Sequence, residues 1–339
     1  MGDGAVMAQV VKQAIYHSGL LRLARLARAR VRGIVLRYHA LTDGADPVVY
    51  AAPDICMPAD AFRAQMAFVK RAYTVVPLDV LVEAVVRGDK LPPRALAITF
   101  DDGYADNHRL GLPILRALGL PATVYLTTAP IDGSAPFWVS AARAIALGAR
   151  GETLAAPGRE PLRIGSSAER EAAAKALTRA LVPLDASARQ ERLAELARAT
   201  GVDLERALAG TMLTWAQVRE LAAAGWTIGA HTVTHSNVAL IGAAVARDEI
   251  AGSRDAIEAA TGTRVCHFCY PNSGGRHTYF GPETVSVLRD LGFASATTSR
   301  PGALRPGADP FLLPRLGVSP RLAPVMELAA AMERQRLAA

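Results

Sequence analysis

The sequence predicts an α/β fold: parallel strands curled into a closed or nearly closed barrel, wrapped by helices. It adds a helical insertion in the middle and a basic amphipathic helix at the N-terminus. Three observations lead there. Short apolar, β-favouring runs recur along most of the chain. Segments with helical periodicity separate most of them. Polar residues stand at the ends of several runs.

The runs are IVLRYH (34–39), YTVVPL (73–78), ALAITF (95–100), ATVYLTT (122–128), WTIGAHT (226–232), RVCHFCYP (264–271), FASATT (293–298) and FLLPRLGV (311–318). Between them, PADAFRAQMAFVKRA, LDVLVEAVVRG and AAVARDEIAGSRDAIEAATG repeat apolar residues at helical spacing and stop near Gly or a turn. Strand–helix alternation places the strands in parallel with helices outside, and eight candidate strands are enough to close a barrel. Residues 131–210 break the rhythm: they hold no convincing strand and read as Ala-, Glu- and Arg-rich helices, a lid or wall inserted after the ATVYLTT strand. The division expected is residues 1–33 as the basic helix, 34–320 as the barrel with its insertion, and 321–339 as a C-terminal helix.

Of the 339 residues, 51% are apolar, enough for a large core. The net charge is +7, yet residues 1–37 alone carry seven basic side chains against one acid, Asp3. The high charge therefore describes the N-terminal segment. Arg22, Arg25, Arg28 and Arg32 share one helical side, and Leu20, Leu23, Ala27 and Val31 the other. Such a helix either packs on the body with a solvated basic face or docks on an acidic membrane surface. No nucleic-acid-reading motif accompanies the charge, so nucleic acid is not expected as a partner. There is no eighteen-residue apolar stretch and no secretory leader pattern, and three cysteines (Cys56, Cys266, Cys269) make no disulfide framework. The expectation is a cytoplasmic protein, with peripheral contact to the inner membrane if residues 1–33 dock there.

The polar run ends carry the chemistry. Asp101 and Asp102 follow ALAITF, His231 and His235 follow WTIGA, His39 ends IVLRY, and Asn272 and Ser273 follow CHFCYP. In an α/β barrel these ends meet at one mouth. HTVTH is a His-x-x-x-His pair. If it turns helically, both imidazoles share a face and can share a cation. Two His and one carboxylate make an open Zn²⁺ site. Two adjacent aspartates repel unless a cation relieves them, so one binds the metal and the other stays beside the water as a base. Gly103 lets the chain turn at once.

TFDDG together with HTVTH resembles the first two motifs of NodB-type polysaccharide deacetylases, carbohydrate esterase family 4. LRYHAL, YTVVPLDVLVEAV, LPILRALGLPATVYLTT, LTWAQVRELAAAGW and HFCYPNSGG extend the resemblance over about residues 34–128 and 212–318. It implies a distorted (β/α)7 barrel. It also implies a metal-dependent hydrolase that removes N-acetyl groups from a carbohydrate or glycoconjugate. Asp101 would be the general base toward a metal-bound water, and Asp102, His231 and His235 the ligands of a divalent metal, expected to be Zn²⁺. The CYPNSGG turn, with Tyr270, Pro271 and the Asn272 N–H, would face substrate and oxyanion.

Two departures stand out. Cys269 occupies the place of the family's third-motif Arg, which holds the base aspartate; Arg315 is the substitute cation expected. FLLPRLGV lacks the usual His acid, leaving His39 to protonate the amine. These departures keep two alternatives open: a deformylase or O-acetyl esterase acting on a lipid-linked sugar, and a metal-retaining glycan-binding protein with little activity. His267 reads as a packed, satisfied residue and His108 as a helix decoration. His277 reads as a solvated loop residue, and Trp138, Trp215 and Trp226 as core. The two thiols of CHFC point to opposite faces of a strand.

Overall fold

The computed structural model describes residues 33–44, 48–156, 158–271 and 278–337. The expected basic helix (residues 1–33), Asn272, Ser273 and His277 lie outside this description, except Gly33. Strands in chain order are β1 (Ile34–Tyr38), β2 (Ala40–Thr42), β3 (Cys56–Pro58), β4 (Thr74–Val75), β5 (Ala95–Phe100), β6 (Thr123–Leu126), β7 (Thr153–Ala156), β8 (Arg159–Arg163), β9 (Thr227–Ala230), β10 (His267–Cys269), β11 (Ser295–Thr297) and β12 (Leu316–Gly317).

The main sheet runs β11-β10-β9-β6-β5-β1-β12, and all its pairings are parallel. A single parallel bridge from Thr297 to Leu313 links its two ends. β4 joins only the first residues of β5, and β6 pairs with its last two, so β5 changes neighbour along its length. This is the curled seven-strand barrel expected, with β4 as an extra edge. β2 and β3 form a small separate pair.

Alternation along each strand builds two cores. Leu36, Ile98, Val124, Ile228 and Phe268 face outward into helices Ala59–Ala72, Trp215–Ala223 and Ala243–Thr261. Val35, Ala97, Tyr125, Cys269 and Leu313 fill the inside. Leu78, Leu81, Val82 and Val85 of helix Leu78–Arg87 join that inner cluster. On the same helix Asp79 bonds His267 and Thr227, the first residues of β10 and β9. The helix therefore plugs the N-terminal end of the barrel and leaves the other end open. Local signals mark the helix ends: Thr214 and Gln217 form a capping box, and Gly262 closes Ala243–Thr261 in the left-handed conformation.

Residues 131–210 have a core of their own, including Trp138, Ile145, Leu154, Ile164, Leu177, Leu181, Leu193 and Leu196. Helices Trp138–Gly148, Ser167–Leu181, Ala186–Thr200 and Leu204–Leu208 carry most of it. The expectation of a strand-free insertion is corrected here: β7 and β8 form an antiparallel hairpin. Pro157-Gly158, a turn-favouring dipeptide of the sequence, is the signal that marks it. The C-terminal helix spans Val325–Leu337 after a short 3-10 turn at Pro320–Leu322. Among the described residues no helix is long and apolar enough to cross a membrane.

Candidate active site

Backbone pairing delivers the polar residues to the open end. The N–H of Asp101 donates to the carbonyl of Tyr38, one residue past β5. The N–H of His231 donates to the carbonyl of Leu126, one residue past β9. After Asp101 the chain reverses: Asp102 has φ +75° and Gly103 φ +89°. A Cβ at Gly103 would meet the Leu126 side chain at 3.1 Å, so glycine is required both by its dihedral and by its neighbour.

HTVTH is not helical, which corrects the geometry expected for it. It is a loop in which Thr232 and His235 hold φ of +67° and +55°. A β-branched residue at positive φ is costly, of the order of 1–2 kcal/mol, and persists only where the surroundings hold it. Here they do. Glu249 accepts from the N–H and hydroxyl of Thr234 at 2.8 and 2.6 Å. Arg189, on the insertion helix Ala186–Thr200, is 2% exposed and donates to the Thr234 carbonyl, the Thr234 hydroxyl and the Ser236 hydroxyl. Its guanidinium lies over the Trp138 ring, 4.6 Å from the centroid, and the Trp138 indole N–H donates to the His235 carbonyl. Burial pulls the Arg189 pKa down to about 10.

The loop places both imidazoles on one carboxylate. Nε2 of His231 is 3.4 Å and Nε2 of His235 is 3.3 Å from the same Oδ1 of Asp102. All three side chains are buried. Nδ1 of His231 is 2.7 Å from the Cys269 carbonyl, which fixes that nitrogen as the N–H and leaves Nε2 to ligate. Burial works against charge on Asp102, but the two imidazoles against it overcome that and hold the carboxyl well below its ordinary pKa. The donor set fits a divalent ion. Ligands about 2.0–2.1 Å from a tetrahedral centre lie about 3.3–3.4 Å apart, close to the Asp102–His separations found here.

A second group, Asp101, His231 and Cys269, also lies close enough to hold an ion. Arg315 argues against it. Its guanidinium grips both oxygens of Asp101, at 2.6 and 2.7 Å, and donates to the Cys269 sulfur at 2.9 Å. A cation there would sit against the buried guanidinium. Arg315 also bonds the Thr298 carbonyl and the Thr99 hydroxyl and is fully buried. Burial would raise the Asp101 pKa, but Arg315 reverses the effect and holds it at about 2. Arg315 thus sits on Asp101, beside Cys269, as the substitute cation expected there.

His39, between β1 and β2, has Nε2 3.8 Å from Asp101 Oδ2, too long for a hydrogen bond. Burial lowers its pKa to about 4 despite Asp102 and Asp101, so the imidazole is neutral at pH 7. The Asn107 amide donates to the His39 carbonyl and to Asp106. Asp106 accepts from the Tyr50 hydroxyl, and burial raises its pKa to about 7.

A cavity of about 480 Å³ opens over these groups. His39, Asp101, Asp102, His231 and His235 line its floor, and Tyr270 contributes to the lining. The Tyr270 hydroxyl itself is committed to the Phe311 carbonyl and its ring to Phe280. Pro271 is buried and does not belong to that lining. Trp226 stacks on Phe100 and Trp215 bonds Asp132, both away from the cavity lining. His267 is satisfied by Asp79 and Ser295, and His108 pairs with Glu220. Three features escaped the sequence reading: Arg189, the Tyr50–Asp106 pair, and Arg37 on the cavity floor. Of these only Arg37 carried a signal, as a lone charge inside the apolar run IVLRY.

The chain matches the sequence profile described as polysaccharide deacetylase over residues 88–296, and it belongs to that family. A curated relative, the Bacillus subtilis protein YxkH, named as a polysaccharide deacetylase, is 30% identical over 95 residues. That stretch is 27% of this chain and 30% of YxkH, so the chain spans under a third of that relative's length. Two solved structures share the fold. The Streptococcus pyogenes deacetylase PplD, solved in complex with acetate, superposes with a TM-score of 0.58 at 16% identity over 89% of this chain and 99% of that one. IcaB from Ammonifex degensii gives 0.56 at 18% identity over 88% and 97%.

Proposed function

We propose that this protein removes N-acetyl groups from a carbohydrate or glycoconjugate, with Asp102, His231 and His235 holding a divalent metal, Zn²⁺ by donor type, and Asp101 as general base. One observation carries the reading: the two adjacent aspartates have separate partners. Asp102 shares one oxygen with two imidazoles, and Asp101 is gripped by Arg315.

When bound, a Zn²⁺ ion supplies a Lewis acid for the acyl oxygen and lowers the pKa of water beside it. Asp101 accepts the proton from the attacking water. Its oxygens keep lone pairs beyond those used by Arg315, and its low pKa keeps it ionised at neutral pH. Arg315 orients that carboxylate and prevents its neutralisation by burial. His39, neutral and beside Asp101 on the cavity floor, is placed to take up the proton that Asp101 removes from water and to deliver it to the departing amine, which leaves poorly without one. Tyr270 follows β10 and lines the cavity, but its N–H donates to the Thr297 carbonyl and Pro271 has none, so the oxyanion donor assigned here is the N–H of Asn272, which lies outside the described residues.

The neutral state of His39 favours a second reading, hydrolysis of an O-acetyl ester by the same residues, since an alcohol leaves with less help from an acid than an amine; an N-formyl group releases the same amine and is the alternative amide substrate. Acetate and formate release by zinc-loaded protein, on N-acetylated, N-formylated and O-acetylated sugars, separates the readings. Acetate from the N-acetyl sugars is the expected result. Metal and glycan binding with no release from any of them would replace the hydrolase by a binding protein.

A further inference from the structure

The wall of the cavity opposite the barrel floor is basic. Helix Ser167–Leu181 presents Ala174, Lys175, Thr178 and Arg179 to it, and helix Trp138–Gly148 presents Arg143. Lys175 and Arg179 are four residues apart, so two like charges share one helical face, an arrangement that is destabilising on its own. Partial compensation is visible. Arg143 is gripped by both oxygens of Glu171, and Lys175 lies 3.6 Å from Asp54. Arg179 has no carboxylate within ion-pair distance among the described residues, and it is exposed to the cavity.

The floor repeats the imbalance. Arg37 projects from β1 into the cavity lining, beside Arg315, which is itself paired with Asp101. Arg37 bonds the Ser299 hydroxyl, but its Nε is buried with no hydrogen-bond partner, and no carboxylate pairs with it among the described residues. Burial and the neighbouring Arg315 lower its pKa, the mark of a charge without a full counterpart. A neutral sugar would leave both cations uncompensated. A divalent ion on the floor would make the cavity more positive still.

We propose that the cleft takes an acylated sugar bearing an anionic substituent, phosphoryl or carboxylate, received by Arg179 and Lys175 on the insertion wall. The inference rests on the deacetylase reading and names its substrate class. The insertion then does more than close one side of the mouth: it selects charged sugars against neutral ones, through a field that salt screens within about 8 Å at physiological ionic strength.

Calorimetric binding of three probes to the zinc-loaded full chain tests this: N-acetylglucosamine, N-acetylglucosamine 1-phosphate and N-acetylmuramic acid, at low and high salt. The charged sugars are expected to bind about 10-fold tighter than the neutral one, with the advantage shrinking as salt rises. In the double variant Lys175→Glu/Arg179→Glu the advantage is expected to vanish; both residues are exposed, so folding is retained. Equal affinity for all three probes, no binding of the charged ones at millimolar concentration, or an advantage that survives the double variant each overturns the proposal. The last result would place the anion on the metal instead. Acetate release is read separately: charge-dependent binding without release sinks the hydrolase reading and leaves the anion site, whereas release with no charge preference does the reverse.

Discussion

The barrel mouth and the helical insertion solve different problems with the same residue type. On the barrel floor, Arg315 is fully buried and holds a charge, Asp101, whose position comes from a strand end. In the insertion, Arg189 is almost as buried but holds no carboxylate directly among the described residues. It grips hydroxyls and a carbonyl of the His231–Ser236 loop. The first fixes the chemistry of one acid; the second fixes the shape of a loop with two residues in left-handed backbone. A barrel supplies strand ends for nothing, but a ligand loop after a strand needs something outside the barrel to hold it.

Changes at the two arginines break the comparison most sharply. Arg315→Leu leaves Asp101 buried and unpaired. A loss of about 3–5 kcal/mol in unfolding free energy is expected from denaturant melts, with turnover falling at least about 100-fold. Arg189→Met keeps the apolar contact with Trp138 and removes the three loop contacts. Zinc affinity, measured by chelator competition, should weaken about 10–100-fold, with turnover largely recovered at saturating zinc. An Arg189→Met protein with unchanged zinc affinity would show that the insertion is a passive wall.

A smaller effect sharpens the boundary between the regions. Asp106 bonds Tyr50, whose carbonyl accepts from Ser140 of the insertion. Its folded pKa of about 7 lies above the ordinary value of 3.8, so the folded state holds the proton more tightly. Stability from this group is therefore full at acidic pH and is lost as pH rises from about 4 to about 7, by at most about 1.4 kcal/mol per pH unit. Asp106→Asn should remove that slope, as read from melts at pH 5, 6 and 7. An identical slope in both proteins would mean that Asp106 is ionised throughout.

Much of the barrel was legible because its signals are dense: β5 is six consecutive buried residues followed at once by two acids and a glycine. Arg315 was legible only through the family resemblance, in which Cys269 stands where an arginine holds the base aspartate. The spacing of His231 and His235 was legible too, but not their backbone. A helix and a loop with two positive φ angles both bring residues i and i+4 together, and nothing in HTVTH tells them apart. The hairpin at residues 153–163 was missed because its strands are short and carry Pro161, a residue that argues against a strand. Arg189 was not legible at all: on a helix with Arg192 and Arg198, which of them is buried depends on what packs against it.

The account stands on the division of labour between Asp101 and Asp102, and one paired measurement tests it: zinc per chain and acetate release for Asp101→Asn beside Asp102→Asn. The first variant should hold one zinc per chain near the native affinity while turnover falls at least about 100-fold. The second should lose zinc under the same conditions. Full zinc in Asp102→Asn, or native turnover in Asp101→Asn, would contradict it.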